Sequence, residues 1–318
     1  MTTLEHTRRI ASHATARSRP KDGYRDWIVR HPVAAFFLGA YAFTWLWWTP
    51  SMLGFEGVLV SLAMFVGGFG PAVSGAAIIR FTGGSARTWF RGLFRWRIAV
   101  RWYAFALGLP VLIVSVATAA FVLAGEEIEL SLLGGNLAKF VPLLIFVTLI
   151  GGGNEEPGWR GFALPRLQMR WTPLRATLLL GAVWALWHLP ILVVAGGHGL
   201  DPIPFALIIV VLFVGIAGGY AFPLTFLHNK TKSSLLCMLL HGSYNTAIGL
   251  LILVPEDVLR GSTYATSAVA LTGTMLAVTA VLLLVTRGQL GLDATSDARP
   301  VSVGGPRRPA LSVRASDA

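Results

Sequence analysis

The chain has 318 residues, 54% hydrophobic and only 13% charged, with a mean hydropathy of +0.65. Soluble domains carry about 25% charged residues, so the composition excludes an ordinary soluble protein and predicts an all-α polytopic membrane protein. The single cysteine, Cys237, excludes a disulfide framework, and the net charge of +11 has to be read from its distribution among the loops.

Residues 1–31 are polar and basic and contain no cleavable leader; they read as a disordered or surface-lying cytosolic tail. Eight stretches are long and apolar enough to span a membrane, which takes about 20 residues each. The first covers 32–53, with Trp45, Trp47 and Trp48 expected at the membrane interface. The second, 58–79, is glycine-rich, and Pro71 predicts a kink in it. Residues 80–102 alternate arginines with Trp89, Phe90, Phe94, Trp96 and Trp102, which predicts an amphipathic segment on anionic headgroups. Span three, 103–124, closes a first part of the chain, 32–139.

Span four begins near Phe140, and spans five to eight cover 174–196, 205–227, 235–254 and 267–286. Residues 140–286 therefore form the expected transmembrane core. His198 and Asp201, in the loop after span five, read as solvated. The Pro-, Ser- and Arg-rich residues 287–318 read as a disordered tail. With both termini in the cytosol and the loops alternating, only Lys139 and Arg260 of the 26 Lys and Arg residues fall outside. Glu56, Glu126, Glu127, Glu129, Asp201, Glu256 and Asp257 fall outside too. Eight spans thus absorb the basic excess, leaving no nucleic-acid partner to explain.

Residues 140–153 carry no charge, yet Glu155 and Glu156 follow directly. Ionisable residues at membrane depth are rare and mark functional sites, although a cytosolic helix cap would also place two glutamates there. Arg160, one turn after Glu156, can neutralise it, whereas Glu155 faces elsewhere with no local cation. Glu155 and His188 lie equally far on either side of a turn between Trp171 and Thr172, hence at one depth, roughly 25 Å from that turn. His241 and Asn245, one turn apart, share a face of span seven. Each of these residues could equally serve as interhelical glue. Together they predict one cavity, expected to open toward the cytosol.

The chemistry these groups offer is water attack on an amide. A glutamate beside a histidine can deprotonate water, and a histidine with an asparagine can donate to an oxyanion. Zinc on Glu155, His188 and His241 is the alternative, but no H-E-x-x-H is present and the three sit on separate spans. The expectation is no cofactor, with Zn2+ as the alternative. A transporter or non-catalytic membrane scaffold using the same buried charges is the rival class, with helix interruptions at 151–153 and Pro157 in its favour.

The three motifs, Glu155-Glu156-x-x-x-Arg160, Trp184-x-x-x-His188 and His241-x-x-x-Asn245, resemble those of the CPBP family of intramembrane proteases. These bacterial and archaeal relatives of the type II CAAX prenyl endopeptidase are also called the Abi family. The stretch from Glu155 to Phe162 looks like the bacterial form nearly residue for residue, and the likeness covers about residues 140–254. The resemblance implies an intramembrane endopeptidase of a cell membrane. Glu155 and His188 would activate water, His241 and Asn245 would hold the oxyanion, and Glu156 and Arg160 would give support. It implies a membrane-associated peptide or protein substrate, cut near the cytosolic face, with the lipid bilayer as surroundings. Trp184 departs from the usual phenylalanine but keeps an aromatic ring.

Overall fold

The computed structural model describes residues 23–191, 202–255 and 257–292; His198, Asp201 and Glu256 lie outside them. Every regular element among the described residues is helical. A short surface helix, α1 (Gly23–Arg30), leads into α2 (Pro32–Met52), whose first-turn proline lacks only an amide that would go unpaired there anyway. The second span is broken into α3 (Val58–Gly67) and α4 (Gly70–Phe81), bent by 44°. Pro71 sits in the first turn of α4, so the predicted kink is a full break between two helices.

The basic segment is a short helix, α5 (Ala86–Leu93), capped by Ser85, followed by non-helical chain up to α6 (Val100–Leu123). Next come α7 (Leu132–Leu149), a 3-10 turn (Gly153–Glu155), α8 (Glu156–Gly158), a π-helical turn (Trp159–Ala163) and α9 (Leu164–Gln168). After α10 (Pro173–Trp187) come α11 (Pro202–Val214), a second π-helical turn (Gly215–Tyr220), α12 (Ala221–Thr231), α13 (Ser234–Leu251) and α14 (Gly261–Thr286).

Five stretches are helical, long and apolar enough to cross a membrane, six if α3 and α4 count as one span. They are Val100–Leu123, Leu132–Gln168, Phe205–Thr231, Ser234–Leu251 and Gly261–Thr286. The expected first span, α2, has the length but mixes in Trp, Tyr, Thr and Pro, while α10 has only 15 residues.

In lipid, helices associate through packing and hydrogen bonds rather than hydrophobic expulsion. Here aromatic rings supply the packing. Phe36 lies 5.4 Å from Trp159 and 4.9 Å from Phe162, and Trp48 lies 4.7 Å from Trp187, by ring centroids. Trp48, expected at the interface, is 2% exposed and donates to the Met64 carbonyl. Polar side chains lock the helices in register: Tyr41 donates to the Val183 carbonyl and Trp45 to the Trp187 carbonyl, so α2 and α10 run parallel.

The bundle has two chemically different ends. At one, Ser233 donates to the Arg95 carbonyl and Asn229 to the Leu290 carbonyl, which gathers the basic segments. Residues 287–292, expected within an unstructured tail, form turns there with Leu290 fully buried. At the other end, Thr263 donates to Glu126, the Glu129 amide to the Leu253 carbonyl and Asn136 to the Leu250 carbonyl.

Candidate active site

The helix started by α7 stops at Ile150 because Gly152 adopts φ +139°, a conformation that side chains disfavour. A Cβ built on Gly152 would lie 2.6 Å from Asn245 Nδ2 and 2.9 Å from His241 Nε2. Those two nitrogens therefore flank one point of the backbone. The freed Gly151 carbonyl accepts a hydrogen bond from Asn245 Nδ2 at 3.1 Å, and Asn154 Oδ1 accepts from the Gly152 amide at 2.9 Å. Helix resumes through the 3-10 turn Gly153–Glu155 into α8, with the polar side chains turned into the bundle. Gly158 is needed for close packing, since any Cβ there would run into the Pro71 backbone of α4.

Glu155 is 5% exposed and its two oxygens have different surroundings. Oε2 accepts from the indole N–H of Trp184 at 2.8 Å and from that of Trp159 at 3.2 Å. Oε1 faces His188 Nε2 at 3.9 Å, beyond a direct hydrogen bond. His188 Nδ1 donates to the Trp184 carbonyl at 2.9 Å, which leaves its Nε2 toward Glu155. Burying a carboxylate is costly without donors, and the two indoles provide them.

Glu156 and Arg160 are fully buried, and Glu156 Oε1 accepts from Arg160 at 3.0 Å and from His241 Nδ1 at 2.8 Å. The Arg160 guanidinium lies 4.4 Å above the Trp184 ring, a further stabilisation of the cation. The expected ion pair is present, and it does more than the sequence implied. Glu156 also orients His241.

All seven residues singled out from the sequence, Glu155, Glu156, Arg160, Trp184, His188, His241 and Asn245, come together. Sequence reasoning gave Gly152 only as part of a helix interruption and gave no role to Trp159 or to the stacked pair Tyr220–Tyr244 beside His241. Trp159 could have been found, standing one turn from Glu155 as Arg160 does from Glu156. Among the described residues no group of three His, Cys, Asp or Glu is placed to hold a metal ion. Both histidines have Nδ1 acceptors of the kind that metal-binding histidines usually show.

Glu155, His188, His241 and Asn245 line a cavity of about 510 Å³. It does not lead where the sequence reading expected. From these residues it runs past Ile248, Ile252, Leu259, Tyr264 and Ser267, toward the end that carries the acidic loops. Among the described residues, none from the basic segments lines it. The basic end is filled instead: Trp89 donates to the Gly161 carbonyl, buried Leu93 packs on Gly161, and Ser233 ties residue 95 down.

A family profile described as type II CAAX prenyl endopeptidase, Rce1-like, matches residues 137–247, the segment that holds every motif residue above. The CAAX prenyl protease 2 of Methanococcus maripaludis is 42% identical over 59 residues, 19% of this chain. The match spans only about a fifth (21%) of that relative's length. Over residues 137–247 the chain is thus similar to Rce1-like, type II CAAX prenyl endopeptidases.

Proposed function

We propose that this protein is an intramembrane endopeptidase that hydrolyses peptide bonds with water activated by Glu155 and His188. The observation that carries the reading is the paired geometry of one carboxylate oxygen, Oε1, and His188 Nε2, 3.9 Å apart on a shared cavity. That spacing suits one water oxygen within hydrogen-bond reach of both groups. With Oε2 held by two indoles, Oε1 is the oxygen that takes the water proton as the new C–O bond forms. The carbonyl electron pair moves onto oxygen, which accepts from the second amide proton of Asn245 and from His241 Nε2–H. For His241 to donate there while bonding Glu156 it carries both ring protons, and the Glu156 carboxylate stabilises that imidazolium. The proton on Glu155 then passes to the leaving nitrogen as the C–N bond breaks.

In this proposal the site works without a metal, eight spans place both termini in the cytosol, and the protein resides in the cell (inner or plasma) membrane. Its partners are membrane-associated peptides or proteins and the surrounding lipid, with no nucleic acid. Comparative proteomics of the host with the wild-type gene and with Glu155→Ala tests the reading. Membrane-derived peptides that disappear in the variant are expected. An unchanged peptide set, with the variant present at wild-type level, would favour a transporter or scaffold that uses the same buried charges.

A further inference from the structure

The turn between α9 and α10 carries charge that the site above does not use. Residues 166–175 contain Arg166, Arg170 and Arg175 and no acid. Arg166 is half-buried, with its guanidinium 3.8 Å from the centre of the Phe162 ring and one N–H donated to the Phe162 carbonyl at 2.9 Å. An arginine has five such donors. Among the described residues no acidic side chain pairs with Arg166 or Arg170.

Between this turn and the start of α2 lies a second cavity of about 280 Å³, which shares no lining residue with the first. Arg166, Arg170 and His31 line it together with Val33, Phe37 and Leu179, and no acid does. Phe37 stands five residues into α2 and Leu179 six into α10, two parallel helices that both start at the basic end. The apolar wall therefore reaches about 7.5–9 Å into the bundle. Leu179 and the lining residue Trp171 are exposed, so the cavity lies on the outer side of the bundle, where a tryptophan marks the membrane interface.

Arginines without a counter-ion against apolar walls are costly, and an anion that reaches them relieves the cost. A phosphodiester suits them best, because guanidinium groups bind phosphate oxygens in pairs. The preceding segment of the chain has the wrong sign to fill the place: residues 1–22 carry Arg8, Arg9, Arg17, Arg19 and Lys21 against Glu5 and Asp22. A ligand with a phosphate at the charged end and a hydrocarbon along the wall matches both halves of the cavity.

We propose that this cavity binds the headgroup of one anionic phospholipid, its phosphate on Arg166 and Arg170 and an acyl chain along Val33, Phe37 and Leu179. The lipid comes from the leaflet at the basic end, whichever compartment that end faces, and the site is independent of the peptidase reading. Held there, it braces the start of α2 against the turn between the segments that carry Glu155 and His188.

The test uses the purified full-length protein in detergent, titrated with phosphatidylglycerol or phosphatidylcholine, with inorganic phosphate as competitor. Native mass spectrometry counts the bound lipid, and thermal melts report folding. One phosphatidylglycerol should bind at least tenfold tighter than phosphatidylcholine and resist displacement by phosphate. Arg166→Gln with Arg170→Gln should bring the two lipids within twofold of each other. Arg87→Gln with Arg91→Gln removes the same charge from exposed positions of α5 and should leave the preference intact. Arg170→Gln alone, at an exposed side chain that bonds nothing among the described residues, should weaken phosphatidylglycerol at least threefold without altering the fold. Equal binding of the two lipids by the wild-type protein would overturn the site. So would a preference that survives the double variant, an equal loss in the α5 pair, or displacement of the lipid by phosphate, which would make the cavity a site for soluble phosphate.

Discussion

Two adjacent glutamates are given different roles in the proposal because their oxygens face different partners. Glu156 Oε1 is shared by Arg160 and His241, while Glu155 holds two indole N–H groups on one oxygen and presents the other to His188. Glu155→Gln should therefore fold normally and lose about a thousandfold in kcat, within the range for a general base. Glu156→Gln should both lower melting temperature, as breaking a buried ion pair costs about 3–5 kcal/mol, and reduce kcat by freeing His241. Thermal melts beside steady-state rates decide; a Glu155→Gln enzyme cutting at near wild-type speed would reject the base assignment. Trp184→Phe keeps the ring under Arg160 but removes one of two donors to Glu155. It should lower kcat about tenfold, the size of a hydrogen bond to a charged group, with KM unchanged; a raised KM alone would make Trp184 a wall of the pocket instead. At this scale the sequence was informative, because i, i+4 spacing on a helix fixes neighbours. It did not reveal the Glu156–His241 link, which joins residues 85 positions apart.

Among the elements, the break after α7 decides whether the site exists. A continuous helix through 150–153 would pair the Gly151 carbonyl within the helix and deny it to Asn245. The glycine run announces an interruption in the sequence, and the charge-free stretch before it marks membrane depth. What could not be read was the positive φ of Gly152 or its closeness to His241 and Asn245, since both come from tertiary packing. Gly152→Ala adds strain of about 1–3 kcal/mol and pushes apart His241 and Asn245, the proposed oxyanion donors. The expected result is an unchanged far-ultraviolet helix signal with activity reduced at least a hundredfold; retained activity would show that the two nitrogens need not converge there. The basic loop offers the opposite lesson. Its arginine and aromatic alternation fits a lipid-lying helix, yet Trp89 and Leu93 turn inward onto Gly161. Periodicity identifies an amphipathic face and does not say whether lipid or protein covers it.

For the molecule as a whole, charge segregation and packing agree on which loops share an end: Arg95 meets Ser233, and Glu126 meets Thr263. Reporter fusions after Gly84 and after Ser233 should read as cytosolic, and those after Glu129 and Asp257 as the opposite side. A cytosolic Glu129 fusion would break the eight-span proposal. The depth match between Glu155 and His188 was legible from counting residues about the turn near Trp171. The direction of the cavity was not, because equal depth says nothing about which side of the site is packed shut. Side chains from α5 and the loop before α13 close one side, and their contacts are long-range.

The central claim is that Glu155 and His188 activate water on their own. Purified protein, stripped with chelator and assayed on an apolar peptide with bound metal quantified alongside, tests it most directly. The account predicts full activity at metal contents far below one per chain, abolished by Glu155→Gln. Activity that vanishes on stripping and returns with one equivalent of zinc would contradict it and make His188 and His241 ligands.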